Sequence, residues 1–103
     1  MEQINTEKFD ELLNGEKSVV CDFFATWCGP CKMLAPVMEE VSKEFEDKAV
    51  FVKVDVDDNF ELSRRYGIMS IPLVAVFENG ELKAKSVGYS SKSEMKEFLE
   101  NNL

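Results

Sequence analysis

Histidine is absent from this chain of 103 residues. That removes the commonest general base, the commonest metal ligand and the side chain that normally titrates near neutrality. Glycine (5) and proline (3) are too scarce for a linker-like or low-complexity chain. No basic run occurs: 12 Lys and Arg stand against 20 Asp and Glu, a net charge of −8, which argues against a phosphate-binding surface and so against nucleic acid. Long apolar runs are also missing. The longest, Leu73 to Phe77, has five residues, where a membrane span needs roughly 20. The opening Met1-Glu2-Gln3-Ile4-Asn5 has no basic segment leading into an apolar stretch. The expectation is a soluble, unexported protein with no membrane partner. Cysteine is sparse and odd in number: Cys21, Cys28 and Cys31 do not form the paired framework of a secreted mini-protein, so a reducing compartment fits better.

What is present is a core. With 45% hydrophobic and 11% aromatic residues, residues 1–103 read as a single domain. Thr6 can cap a short amphipathic helix carrying Phe9, Leu12 and Leu13, ended at Gly15 by a left-handed residue. Ser18 to Ala25 is apolar on both alternating faces, as in a strand covered from each side, with Asp22 the misfit. The turn from Thr26 to Cys31 leads into a long helix patterned by Leu34, Val37, Met38, Val41 and Phe45, which Pro36 should kink. Ala49 to Val54 reads as a second buried strand. Asp58 with Glu61 can cap a helix that stops at Gly67. Asn79-Gly80 between Leu73–Glu78 and Glu81–Val87 marks a type I′ hairpin, and Ser91 with Glu94 makes a capping box for a closing helix with Met95, Phe98 and Leu99 inward. The sum is an α/β chain with a mixed sheet, parallel first and finished by a hairpin, with helices on both faces.

Cys28-Gly29-Pro30-Cys31 lies where the first buried strand hands over to the long helix. A cysteine at a helix start faces unpaired N–H groups and the positive end of the dipole, which favour the thiolate. Cys28 is the candidate nucleophile. Cys31 comes round to the same side one turn on, where it can attack a mixed disulfide on Cys28 and release a reduced partner. Pro30 suits the first helical turn, Gly29 keeps the approach open, and with no histidine between the cysteines a reductant is expected. The competing readings are half of a zinc or iron–sulfur site, for which three cysteines and no histidine are too few ligands, and two unreactive core cysteines. Asp22, if buried, has a raised proton affinity and can move a proton in place of histidine; the alternative is a wet strand end. Lys53 on the adjacent strand either pairs with Asp22 or is solvated. Cys21 reads as a small core hydrophobe, Met33 and Met38 as core filler. Pro72 is either cis or a strand start, and Trp27 either core or a docking surface.

The segment Phe23-Phe24-Ala25-Thr26-Trp27-Cys28-Gly29-Pro30-Cys31-Lys32 closely resembles the active-site segment of the thioredoxin family. Asp22, Lys53-Val54-Asp55, Tyr66-Gly67-Ile68, Ile71-Pro72, Phe77, Asn79-Gly80 and Val87-Gly88 follow in that family's order and spacing. The resemblance implies the thioredoxin fold, a central five-stranded mixed sheet flanked by four helices, with a short first strand around Gln3-Ile4. It implies a cytoplasmic, monomeric protein disulfide reductase and electron carrier with no cofactor beyond a Cys28–Cys31 redox disulfide, recharged by a thioredoxin reductase. Oxidised proteins such as ribonucleotide reductase, peroxiredoxin or methionine sulfoxide reductase would be its substrates. By the same resemblance Cys28 attacks and Cys31 resolves. Asp22 and Lys53 match the buried pair assisting proton transfer, and Pro72 the cis-proline facing the disulfide. Trp27, Gly29, Pro30, Ile71, Pro72, Gly88 and Tyr89 match an apolar docking surface. Four departures stand out: Phe24 where tryptophan is common, expected to matter more to fluorescence than to chemistry; Leu73 after the proline; Met69-Ser70; and the extra Cys21. An alternative of a different class is a binding module that uses an altered Met69-Ser70 and Leu73 rim without turnover.

Overall fold

In the computed structural model, which describes residues 1–103, the doubly apolar segment becomes the middle of a sheet. The strands are β1 (Glu2–Gln3), β2 (Ser18–Phe24), β3 (Ala49–Asp55), β4 (Leu73–Glu78) and β5 (Glu81–Val87), in the order β1-β3-β2-β4-β5. β1 and β2 run parallel to β3, and β4 is antiparallel to both β2 and β5. A strand hydrogen-bonded on both edges and covered on both faces must be apolar throughout, and β2 is buried from Val19 to Phe23. The edges are a two-residue strand and one carrying Lys83 and Lys85, which discourages further strand pairing. Lys83 is the extra residue of a bulge, since Val76 pairs with Ala84 while Phe77 pairs with Leu82.

Four helices cover the sheet: α1 (Thr6–Leu13), α2 (Gly29–Glu44), α3 (Phe60–Arg65) and α4 (Lys92–Asn102). Alternation along β2 splits the core. Val19, Cys21 and Phe23 join Phe9 of α1 and Leu62 of α3, whereas Val20 joins Leu34, Met38 and Val41 of α2 and Met95 and Leu99 of α4. α1 and α3 therefore lie on one face and α2 and α4 on the other. This five-stranded mixed sheet with four helices is the thioredoxin fold that the resemblance implied. No helix is long and apolar enough to cross a membrane.

Local signals hold where the chemistry is local. Asn79 (φ 54°) and Gly80 (φ 79°) adopt the two left-handed conformations of a type I′ turn. In the box at α4, Glu94 N–H donates to Ser91 Oγ and Ser91 N–H to Glu94 Oε1. Elsewhere tertiary contacts decide. Asn5, one residue before Thr6, caps α1 by accepting from Lys8 N–H. The Thr6 hydroxyl and N–H both donate to Asn59 Oδ1 instead, at 3.0 and 2.8 Å. That bond removes Asn59 from helix capping: it occupies the N-cap of α3, where Asp58 was expected, with no side-chain cap bond. α1 ends at Asn14, and Gly15 has no positive φ. α2 runs unbroken through Pro36, and β1 begins one residue earlier than expected. Met38 is core filler but Met33 is exposed, whereas Leu73 is buried within β4 and does not reshape any rim.

Candidate active site

The site forms where the carboxyl end of β2 meets the start of α2. Cys28 is the N-cap of that helix, extended at φ −88° and ψ 112°, and its Sγ accepts the Cys31 N–H at 3.2 Å. Oxygens of serine, threonine, aspartate and asparagine commonly fill this role, and a sulfur there sits against a backbone donor and the positive end of the macrodipole. Pro30 occupies the first helical turn, where its missing N–H breaks no bond. Cys28 and Cys31 are joined as a disulfide with Cα atoms 5.2 Å apart, and each residue is only 4% exposed. Total exposure thus does not separate the two cysteines; their neighbours do. Cys28 Sγ lies 3.9 Å from the carbonyl oxygen of Ile71, at the protein's rim. Cys31 lines a cavity of about 270 Å³ together with Asp22, Phe24, Lys32 and Lys53.

Asp22 is 3% exposed, and its Oδ1 has no hydrogen-bond partner. Burial pushes the carboxyl up to about 6, against the lowering influence of Lys53. A strand end wet by solvent is thereby excluded. Lys53 stands directly opposite Asp22 in the parallel register but forms no ion pair with it. Its Nζ lies 5.5 Å from the centre of the Phe24 ring, so the expected direct pairing is replaced by a cation–π contact. Cys21 faces the other side of the sheet, fully buried. Desolvation and then the Asp22 carboxylate push its thiol well above the usual range, consistent with a core residue.

The Ile71–Pro72 bond is cis and sits beside the disulfide at the start of β4. Gly88, at φ 88°, donates its N–H to the Pro72 carbonyl at 2.8 Å, binding the segment after β5 to the proline turn. Gly29, Pro30 and Tyr89 are exposed, and Ile71 is partly exposed. Trp27 is 69% exposed, which decides against a core role, and its indole N–H donates to Asp57 Oδ2 at 2.7 Å. Sequence reasoning missed Asp57. The signal was there: β2 and β3 are parallel neighbours, so the residues following each, Trp27 and Asp57, emerge at the same end of the sheet. Met69, singled out in the sequence as part of an altered rim, is 94% exposed, the barest apolar side chain near the proline turn. No group of three or more His, Cys, Asp or Glu residues is arranged to hold a metal ion.

A family model described as Thioredoxin matches residues 1–101. Similar curated relatives, each named Thioredoxin, come from Mycoplasmoides gallisepticum (48% identical, covering 92% of this chain and 94% of the relative), Bacillus subtilis (45%; 91% and 93%) and Rickettsia bellii (44%; 91% and 90%). With the Cys28–Cys31 disulfide at a helix start on this five-stranded sheet, these likenesses establish that the chain belongs to the thioredoxin family of protein disulfide reductases.

Proposed function

We propose that Cys28 is the attacking thiol and Cys31 the resolving one in a dithiol–disulfide exchange that reduces protein substrates. Cys28 thiolate attacks one sulfur of the substrate disulfide, and the other sulfur leaves as a thiolate. Cys31 then gives up its proton and attacks Cys28 Sγ, which closes the protein's own disulfide and expels the second substrate sulfur. Two electrons pass to the substrate and two protons complete its thiols. The observation that carries this order is the Cys31 N–H aimed at Cys28 Sγ, a donor that favours negative charge on that sulfur and not on the other. Asp22 is the acceptor and carrier of the Cys31 proton, supported by its place on the same cavity and by a proton affinity near the working pH. Lys53 tunes Asp22 through its charge.

Trp27, Gly29, Pro30, Ile71, Gly88 and Tyr89 form the surface that a partner covers, with the buried Pro72 as its floor. Their grouping around Cys28, the exposure of Trp27 and the Gly88–Pro72 bond support that reading. Family membership implies protein disulfides as substrates and a thioredoxin reductase as the source of electrons. Within those classes, ribonucleotide reductase, peroxiredoxin and methionine sulfoxide reductase are the substrates we propose. We further propose a single-domain, cytoplasmic monomer that needs no cofactor beyond its disulfide. Replacing Cys31 with serine should trap the substrate on Cys28 as a mixed disulfide visible by non-reducing electrophoresis. Cys28→Ser should abolish reduction of insulin; retained activity in that variant would overturn the assignment.

A further inference from the structure

A lysine directly across a strand pair from a buried carboxylate has every electrostatic reason to pair with it, because an unpaired buried charge is expensive. Lys53 does not. Its ammonium lies 5.5 Å from the centre of the Phe24 ring, within the range at which a cation is attracted to an aromatic face. Phe24 is two residues beyond Asp22 on β2, so both side chains share a face of the strand. Its ring packs against the small cluster of Ala25, Cys28 and Cys31. It thus touches both the redox pair and the lysine, while Asp22 Oδ1 stays without a partner and Asp22 lines the same cavity as Cys31.

We propose that Phe24 is a positioning residue for disulfide exchange: its ring face holds the Lys53 ammonium off the Asp22 carboxylate and leaves that carboxylate free to take the Cys31 proton. The inference rests on the reading of Asp22 as the proton carrier. An ammonium in contact would hold Asp22 ionised and make it a weaker base. Of the other charges on this face, β3 carries Asp55, whose Oδ1 accepts the Asp57 N–H, and α2 carries Lys32 and Glu39; the Glu39 carboxylate is bonded to the Met1 ammonium and also feels the charge of Lys53. Opposite Asp22 on β4 stands Val74, and α4 brings Met95 and Leu99 to the core on this side. Tryptophan at position 24 would offer the same ring face, so the residue type there matters to the chemistry through its aromaticity.

The test is an NMR titration of the Asp22 carboxyl in the oxidised protein, where Cys28 and Cys31 carry no protons. Phe24→Leu should lower the Asp22 midpoint by about one pH unit, Phe24→Trp should restore it, and in a Lys53→Met background Phe24→Leu should have no effect. An unchanged or raised midpoint in Phe24→Leu overturns the proposal, as does the same drop without Lys53. In the unaltered protein, the Lys53 Cε protons should be shifted upfield by the Phe24 ring current; ordinary shifts would overturn it without any variant. The pH profile for resolving the mixed disulfide should move with the Asp22 midpoint. A midpoint that moves under a stationary profile would overturn the reading of Asp22 as proton carrier while leaving the placement of Lys53 by Phe24 intact.

Discussion

Asp22, the proposed proton carrier, costs the fold stability. Its carboxyl is pushed up to about 6 in the fold, first by burial and against the opposing charge of Lys53, whereas in the unfolded chain it titrates near 3.9. The folded protein therefore holds this proton more tightly. Below about pH 4 both states are protonated and the group is neutral in the balance. Between about pH 4 and 6 the unfolded chain ionises first, so folding stability falls as pH rises. Above that window the full penalty, ~3 kcal/mol, is present. Asp22→Asn should accordingly raise the unfolding free energy at pH 7 by up to ~3 kcal/mol and by little at pH 4, in denaturant titrations of the oxidised protein. An equal gain at both pH values would show that charge is not the cause. The same variant should slow resolution of the mixed disulfide more than the initial attack. Asp22 was legible in the sequence because a carboxylate interrupts a strand apolar on both faces. The contact between Lys53 and Phe24 was not, since the register brings the three residues together but does not say where a flexible four-carbon side chain puts its charge.

At the scale of elements, the start of α2 combines a helix cap with the proposed nucleophile. Cys28 Sγ satisfies one of the orphan N–H groups of the first turn. Serine can do the same and alanine cannot. Cys28→Ser and Cys28→Ala should therefore be equally inactive, neither having a disulfide, while the serine variant is more stable by about 1 kcal/mol. Equal stability in thermal unfolding would mean that the sulfur contributes nothing as a cap. Elements whose signals lie within a few residues, the Asn79-Gly80 turn and the Ser91–Glu94 box, were legible at residue resolution. The ends of α1 and the start of α3 were not. Asn5 and Thr6 are adjacent capping types, and the choice between them is made by Asn59, which lies 53 positions along the chain from Thr6.

For the whole molecule, strand order matters most. β2 lies at the centre of the sheet, so the reactive turn hangs from the most heavily braced strand. The family motif and the strand–helix alternation made this arrangement legible. Without the family resemblance, residue types and spacing left open whether Trp27 would face inward and whether Pro72 would be cis, because both depend on packing between distant segments. The charge of −8 acts at this scale too. It steers encounters without choosing the chemistry. Raising the ionic strength from about 0.01 to 0.15 M shortens the screening length from about 30 to 8 Å. The rate of reducing a lysine-rich protein disulfide should then fall on the order of 10-fold, while a small uncharged disulfide reacts as before. An equal slowing of both would remove any steering role.

Asn59 makes a bond whose reach exceeds its own neighbourhood. It accepts from Thr6 on α1 and donates to the Asp55 carbonyl; Asp55 in turn holds the Asp57 N–H, and Asp57 holds the Trp27 indole. A helix on the opposite side of the sheet from α2 is thereby the footing of the side chain proposed to meet incoming partners. Trp27 is also the only tryptophan in the chain. Its fluorescence thus serves as a gauge of that footing, so loosening anywhere along the route, even in α1, registers optically at the edge of the active site.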